Sequence, residues 1–357
     1  MDELRTSPCE FSVEELDREL IVRGAQDPDE KRFRFSDKMG SHQRDEIMEQ
    51  LKEVYDMAKS WPRNEALRDI CTEDLVKILL FKTGRTEING ERGIWGKDDR
   101  KDIYEIEDDQ IKQNAASVAT VFGNDNLINT NRKSAMIKVM NYGKTFNLSD
   151  NEIFQDQPMA AGRVCTGFLV GEDVIATAGH CACENAVKDL RIVFDYKMED
   201  PDTTVTRILN ENIYRGVEII KRVQVQQYTK PDWALVKLDR KVKGRTPVKL
   251  SEEISRGQDV YVIGHPCGLP LKFAPGAKVL SVSEACFTAD LDIYMGNSGS
   301  PVFNSGTHKV IGIVVRGDNR DFRWTGKDWV SIIYPNRKIY SRSPECTRAS
   351  EFIDYCR

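Results

Sequence analysis

Beyond residue 102, apolar residues fall in short runs rich in β-branched side chains: SVATVF, CTGFLV, DVIATA, RIVFDY, VEIIKRV, WALVKL, DVYVIG, KVLSVS and VIGIVV. Gly, Pro, Asn or Asp bound each run, which is the pattern of strands separated by turns. Many short strands with few helical stretches between them predict an all-β sandwich or a pair of barrels.

The first eighty residues have a different period. EIMEQLKEVYDMAKSW puts Ile47, Leu51, Val54 and Ala58 at helical spacing, and Pro62 ends that pattern. Thr72 caps a second helix, TEDLVKILLF, whose acidic first turn suits the helix dipole and whose end is marked by Gly84. Between residues 11 and 40 the chain is highly charged, and the only element predicted there is a short helix over 13–22. Residues 1–81 therefore read as a small helical domain. They carry no metal-ligand spacing and no nucleotide loop, so their expected role is contact with a regulatory protein partner. Residues 82–101 hold four glycines among charges and read as a linker, with Ile94 and Trp95 as points that pin it to a neighbouring surface. The strand-rich domain then occupies 102–357.

Composition adds little to this division. A net charge of −5 over 357 residues gives no reason to expect a nucleic-acid partner. The start, MDELRTSPCEFSVEELDREL, lacks a basic stretch followed by an apolar run, and no stretch approaches the length of a membrane span; the expected compartment is the cytoplasm, with no membrane association. Nine cysteines, an odd number, leave at least one thiol without an intrachain partner. No cofactor motif is present.

Candidate chemistry concentrates in three stretches. In GNSGSPVF (296–303), glycines flank Ser298, so the hydroxyl can stand exposed on a turn while the N–H groups of Gly296 and Ser298 are available to an oxyanion. A serine hydroxyl is a weak nucleophile unless a histidine takes its proton, and the histidine works best when a carboxylate fixes its tautomer. IATAGHC (175–181) supplies His180, one of only four histidines, and PDWALVKL (231–238) supplies Asp232. Taken alone, GNSGS also suits a plain hairpin turn.

Together with CTGFLV (165–170), these stretches resemble the trypsin-like serine peptidases of the chymotrypsin fold, and within them the bacterial branch near the glutamyl endopeptidases. The resemblance covers roughly residues 98–335. It implies a mainly β domain of two Greek-key six-stranded barrels, with His180 as general base, Asp232 as its orienting partner and Ser298 as nucleophile; Gly296 and Ser298 would supply the oxyanion hole. No cofactor and no metal are expected; HCAC (180–183) matches no zinc spacing and His180 is needed by the triad. His265 reads as structural, and His42 and His308 as surface residues. Cys165 and Cys181 fall where the family bridges the histidine loop to its neighbouring strand. In a reducing compartment two buried thiols packed as small hydrophobes suit those positions equally.

The resemblance also bears on control and specificity. Asn297 stands where the zymogens carry an aspartate that pairs with a freshly cut N-terminus, so this chain is expected to hold its loop by other hydrogen bonds. Counting back from Ser298 puts Asp292 where trypsin-like enzymes bind Arg or Lys, while Val314 occupies the position of the histidine used by glutamyl endopeptidases. Asp290 is the competing acid, and Arg316 is placed either to neutralise Asp292 or to attract an acidic residue itself. The expected activity is an endopeptidase cutting after Arg or Lys, with Arg85, Arg92 and Arg100 as sites of self-cleavage. The alternatives are a catalytically silent scaffold that binds proteins and an esterase using the same triad.

Overall fold

The structure, a computed structural model, describes residues 11–16, 19–24, 31–34, 93–129, 131–224, 230–317, 321–334 and 343–356. It divides into a unit over Met1–Asn89 and a larger unit over Gly90–Arg357. In the first unit the described residues form a three-stranded antiparallel sheet, Phe11–Leu16, Glu19–Gly24 and Lys31–Arg34. The helix expected over 13–22 is therefore replaced by a hairpin, with Leu16 opposite Glu19 and Phe11 opposite Gly24. The reason is visible in FSVEELDRELIVRG, where Val13, Ile21 and Val22 favour extended backbone. The helices expected over 47–58 and 72–81 lie outside the described residues.

In the second unit, twelve strands build two closed barrels, numbered β1–β12 here. The first comprises β1 (Val118–Gly123), β2 (Val164–Gly171), β3 (Val174–Thr177), β4 (Leu190–Val193), β5 (Ile213–Gln224) and β6 (Asp232–Leu238). The second comprises β7 (Asp259–Gly264), β8 (Lys272–Val282), β9 (Cys286–Ala289), β10 (Pro301–Asn304), β11 (Val310–Arg316) and β12 (Glu345–Arg348). Pairing runs β1-β2-β3-β6-β5-β4 and back to β1 in the first, and β7-β8-β9-β12-β11-β10 and back to β7 in the second. One topology is thus used twice, every pair is antiparallel, and closure leaves neither barrel a free edge.

Burial follows strand alternation. On β7, Val260 and Val262 enter the core of the second barrel, while Tyr261 and Ile263 join a larger apolar cluster shared with Phe168, Ile175 and Trp233 of the first. That shared cluster is why β7 and β11 read as nearly continuous apolar runs: both of their faces are covered.

The stretch 93–102 is part of this unit. Ile94 and Trp95 are buried and pair in parallel with Ile333 and Tyr334, whereas Lys101 and Asp102 add an edge to β8. Asp102 forms a buried ion pair with Lys272, and Gln157 hydrogen-bonds both partners. Arg100 is likewise buried, paired with Asp98 and set over the Tyr294 ring, which removes it from the accessible sites of self-cleavage. Arg85 and Arg92 lie outside the described residues. Among the described residues no helix is long and apolar enough to cross a membrane.

Candidate active site

The antiparallel register of β3 and β6 sets the first contact of the site. Thr177 at the end of β3 lies opposite Ala234, two residues after Asp232, so the turn leaving β3 passes the start of β6. His180 sits in that turn, Gly179–Cys181. A side chain at Gly179 would collide with the surrounding strands: a Cβ there would lie 2.7 Å from Asp232 Oδ1 and about as close to the Val223 carbonyl. Two arginines hold the turn's carbonyls, Arg163 on His180 O at 2.7 Å and Arg222 on Gly179 O at 2.7 Å.

His180 and Asp232 are joined by two hydrogen bonds. His180 Nδ1 lies 2.8 Å from Asp232 Oδ2, and the His180 backbone N–H donates to Oδ1 at 3.1 Å. The carboxylate is 5% exposed and the imidazole 26%, so the acid is sealed in while the ring reaches the surface. With Nδ1 committed to Asp232, Nε2 is the ring nitrogen left for exchange with a ligand. The second barrel seats Asp232 from behind: its N–H donates to Thr347 Oγ1 at 2.9 Å, and Thr347 Oγ1 donates back to Asp232 O at 3.2 Å.

Ser298 lies on the loop between β9 and β10, half-buried. Thr166 on β2 fixes this loop to the first barrel. Its N–H donates to Ser298 O at 2.8 Å, its hydroxyl donates to Gly296 O at 2.9 Å, and that hydroxyl accepts the His265 N–H at 3.1 Å. Cys181, the neighbour of His180, places its sulfur 3.8 Å from Ser298 O. Gly296 and Gly299 both have positive φ, 96° and 89°. At Gly299 a Cβ would fall on the Thr166 carbonyl oxygen, so glycine is required on steric as well as conformational grounds.

Donor use along this loop is uneven. Asn297 N–H donates to Tyr294 O, Gly299 N–H to Val314 O and Ser300 N–H to Asn297 O. The N–H groups of Gly296 and Ser298 have no acceptor among the described residues, and neither does the Ser298 hydroxyl. Asn297 is buried in a neutral network, its amide donating to Tyr294 O and its carbonyl accepting from Ser300 Oγ. Asp321 holds the preceding residue by accepting the Met295 N–H at 3.0 Å. Sequence reasoning passed over both Thr166 and Asp321. Thr166 had a legible signal, as the one hydroxyl in the apolar run CTGFLV; Asp321 had none.

Cys165 and Cys181 form a disulfide. With His180 their ligand atoms lie within 4.8 Å of one another, but two bonded sulfurs offer a metal no thiolate. His265 is buried, with Nδ1 donating to Leu269 O at 3.0 Å, and burial pushes its ring down to about 4, so it stays neutral.

The three expected pocket residues separate. Asp292 is buried, and one oxygen accepts the Trp95 N–H at 2.7 Å; the other accepts nothing among the described residues. Burial raises its carboxyl to about 8, against the opposing pull of the Trp95 N–H and Arg100. Asp290 accepts the backbone N–H of Lys278 and braces β8. Val314 lies in the core of the second barrel. Arg316 turns away from Asp292, reaching Glu345 at 2.7 Å and approaching Asp232 Oδ2 at 3.8 Å.

Residues 165–313 match the family model of the trypsin-like peptidase domain. Among solved structures, the chain is similar to a Glu endopeptidase in complex with MPD, at 15% identity over 73% of this chain and 98% of that one, with a TM-score of 0.41. It is also similar to an inactivated protease paralogue of the scabies mite, at 16% identity over 74% of this chain and 96% of that one, again with a TM-score of 0.41.

Proposed function

We propose that this chain, which carries a trypsin-like peptidase domain over residues 165–313, is a serine endopeptidase in which His180, Asp232 and Ser298 act as the triad. One observation carries the reading: a surface-reaching imidazole is bonded through Nδ1 to a buried carboxylate, in a molecule whose serine loop keeps two backbone N–H groups uncommitted. Ser298 Oγ attacks the scissile carbonyl carbon as its proton passes to His180 Nε2. The oxyanion is met by the N–H groups of Gly296 and Ser298. His180 returns the proton to the leaving amine, the C–N bond breaks, and water then cleaves the acyl-enzyme by the same steps, restoring Ser298. Asp232 holds the tautomer and offsets the charge of the imidazolium.

The proposed substrate class is a peptide or protein cut after Arg or Lys, with the free oxygen of Asp292 as the group that pairs with the basic side chain. Residues 1–81 are proposed to bind a regulatory protein partner.

A fluorophosphonate probe tests the assignment directly. Wild-type protein is expected to be labelled at Ser298, and Ser298→Ala and His180→Ala to lose both labelling and peptide hydrolysis, the latter by several orders of magnitude, about 10^6 in the most thoroughly studied triad. Unlabelled wild-type protein, or Ser298→Ala cutting casein at the wild-type rate, overturns the reading.

A further inference from the structure

We propose that, once the Cys165–Cys181 bond is reduced, Cys165, His180 and Cys181 form a three-ligand site for a zinc-class divalent cation, which takes His180 out of the triad. The effect on catalysis rests on the endopeptidase reading; the metal site does not. The two sulfurs and a ring nitrogen of His180 already lie within 4.8 Å of one another. A tetrahedral zinc with sulfur at about 2.3 Å and nitrogen at about 2.0 Å sets such donors about 3.5–3.8 Å apart, which fits inside that span. The Cα atoms of the two cysteines are 6.2 Å apart, so side-chain rotation alone moves the freed sulfurs around a shared ion.

The surroundings suit a metal as well as the ligand atoms do. Asp232 occupies His180 Nδ1 at 2.8 Å, which fixes the tautomer with a lone pair on Nε2. A carboxylate behind a ligating histidine is the usual support of a zinc site, and it raises the basicity of the ligand. Both sulfurs are buried, whereas the imidazole is 26% exposed, so the cation enters from the side where the ring meets solvent and keeps a water as its fourth ligand. Two thiolates, one imidazole and an open position favour zinc over the hard cations, which prefer oxygen. Cys183, two residues on, is free but lies outside this cluster. Cys181 Sγ is also 3.8 Å from Ser298 O, so an ion held here stands beside the serine loop.

The reaction balances with a small thiol as the reductant. One thiol attacks a sulfur of the Cys165–Cys181 bond, and a second releases the mixed disulfide as the small oxidised disulfide, leaving two protein thiols. The cation then displaces both thiol protons to water and forms two metal–sulfur bonds, while neutral His180 gives its Nε2 lone pair without losing a proton. The two thiolates match the charge of the ion, and Asp232 adds a negative charge behind the ring. Arg163 and Arg222 bring the opposing positive charge, and both are spent on the carbonyls of the His180 turn. While the metal is bound, Nε2 can no longer take the Ser298 proton.

The test uses the full chain, reduced with a phosphine, freed of metal and titrated with Co2+ as a spectroscopic stand-in for Zn2+. One equivalent is expected to give thiolate-to-cobalt charge transfer and the strong visible bands of tetrahedral cobalt, both erased by Zn2+; unreduced protein should give neither. His180→Ala keeps every thiol and should lose this spectrum, as should Cys165→Ser and Cys181→Ser, whereas Cys183→Ser should keep it. Asp232→Asn should bind about 10–100-fold more weakly, since only the support of the ring has changed. On the catalytic side, Zn2+ should abolish fluorophosphonate labelling of reduced protein, a chelator should restore it, and unreduced protein should be labelled either way. Reduced protein that gives no cobalt spectrum, or that unfolds by circular dichroism before metal is added, overturns the proposal. So does a wild-type spectrum in His180→Ala, which would place the ion on other cysteines; that protein decides the matter even where a cysteine variant does not fold. Labelling that persists at full zinc occupancy overturns the inhibition. If unreduced wild type is never labelled, the endopeptidase reading fails, while the cobalt spectrum still judges the site.

Discussion

At Asp292, desolvation outweighs the Trp95 N–H and the nearby Arg100, and the carboxyl is held protonated up to about pH 8. Pairing with a substrate guanidinium requires the ionised form, so below that pH each binding event must also release a proton. The ratio of kcat/KM for an Arg substrate to that for an otherwise identical neutral one is therefore expected to rise with pH between 6 and 8, approaching about tenfold per unit, and to level above. Taking the ratio removes the titration of His180, which both substrates share. Asp292→Asn keeps a carbonyl oxygen for the Trp95 N–H and should abolish both the Arg preference and its pH dependence. An Arg preference that survives in that variant, or a wild-type preference for Glu, would defeat the proposal. The direction of Arg316 was not readable from the sequence. The pairing of β11 with β12 slips between Val314 and Arg316, and such a bulge breaks the alternation on which counting along a strand depends.

Among elements, the link between β2 and the serine loop is the one most exposed to a single change. The Thr166 hydroxyl is wholly buried; it donates to Gly296 O and accepts from His265 N–H. Thr166→Val keeps the shape but leaves both partners unsatisfied, which should cost about 1–3 kcal/mol in denaturant unfolding. Because the lost bond sits on the peptide group next to the candidate oxyanion donors, kcat should fall with it while KM changes little. The strands that apolar runs made legible, such as β2, β6 and β7, are those buried along nearly their whole length. β9, β10 and β12 escaped notice for a physical reason: CFTA, PVFN and ECTR are four residues each and gain their order from neighbours on both sides, not from any pattern of their own. The misread hairpin at 11–24 has a related cause, since acidic residues spaced along FSVEELDREL fit a helix surface as well as a strand face.

For the whole molecule, the stretch that reads as a linker is structural as far back as residue 93. Glycines and charges normally mean solvent, yet Ile94 and Trp95 are fully covered, and Arg100 and Asp102 meet partners that lie far along the chain. Lys272 is 1% exposed and depends on Asp102 and Gln157 for its hydrogen bonds; even so, burial draws its ammonium down to about 8. A protein beginning at residue 90 retains all of these contacts, whereas one beginning at 103 leaves Lys272 as a buried cation without its counter-ion, a change that typically costs about 3–5 kcal/mol. It also uncovers the Asp292 oxygen that Trp95 occupies. The shorter protein is thus expected to unfold at markedly lower temperature and denaturant concentration and to lose activity, while the longer one should match the full chain in peptide hydrolysis. Equal activity is expected because Asn297 is already satisfied by Tyr294 and Ser300, and Met295 by Asp321, so the serine loop does not await a new α-amino group. Full-length protein that is dormant until a cut exposes one particular N-terminus near residue 160 would refute this. So would a protein beginning at 103 that unfolds at the same midpoint as one beginning at 90.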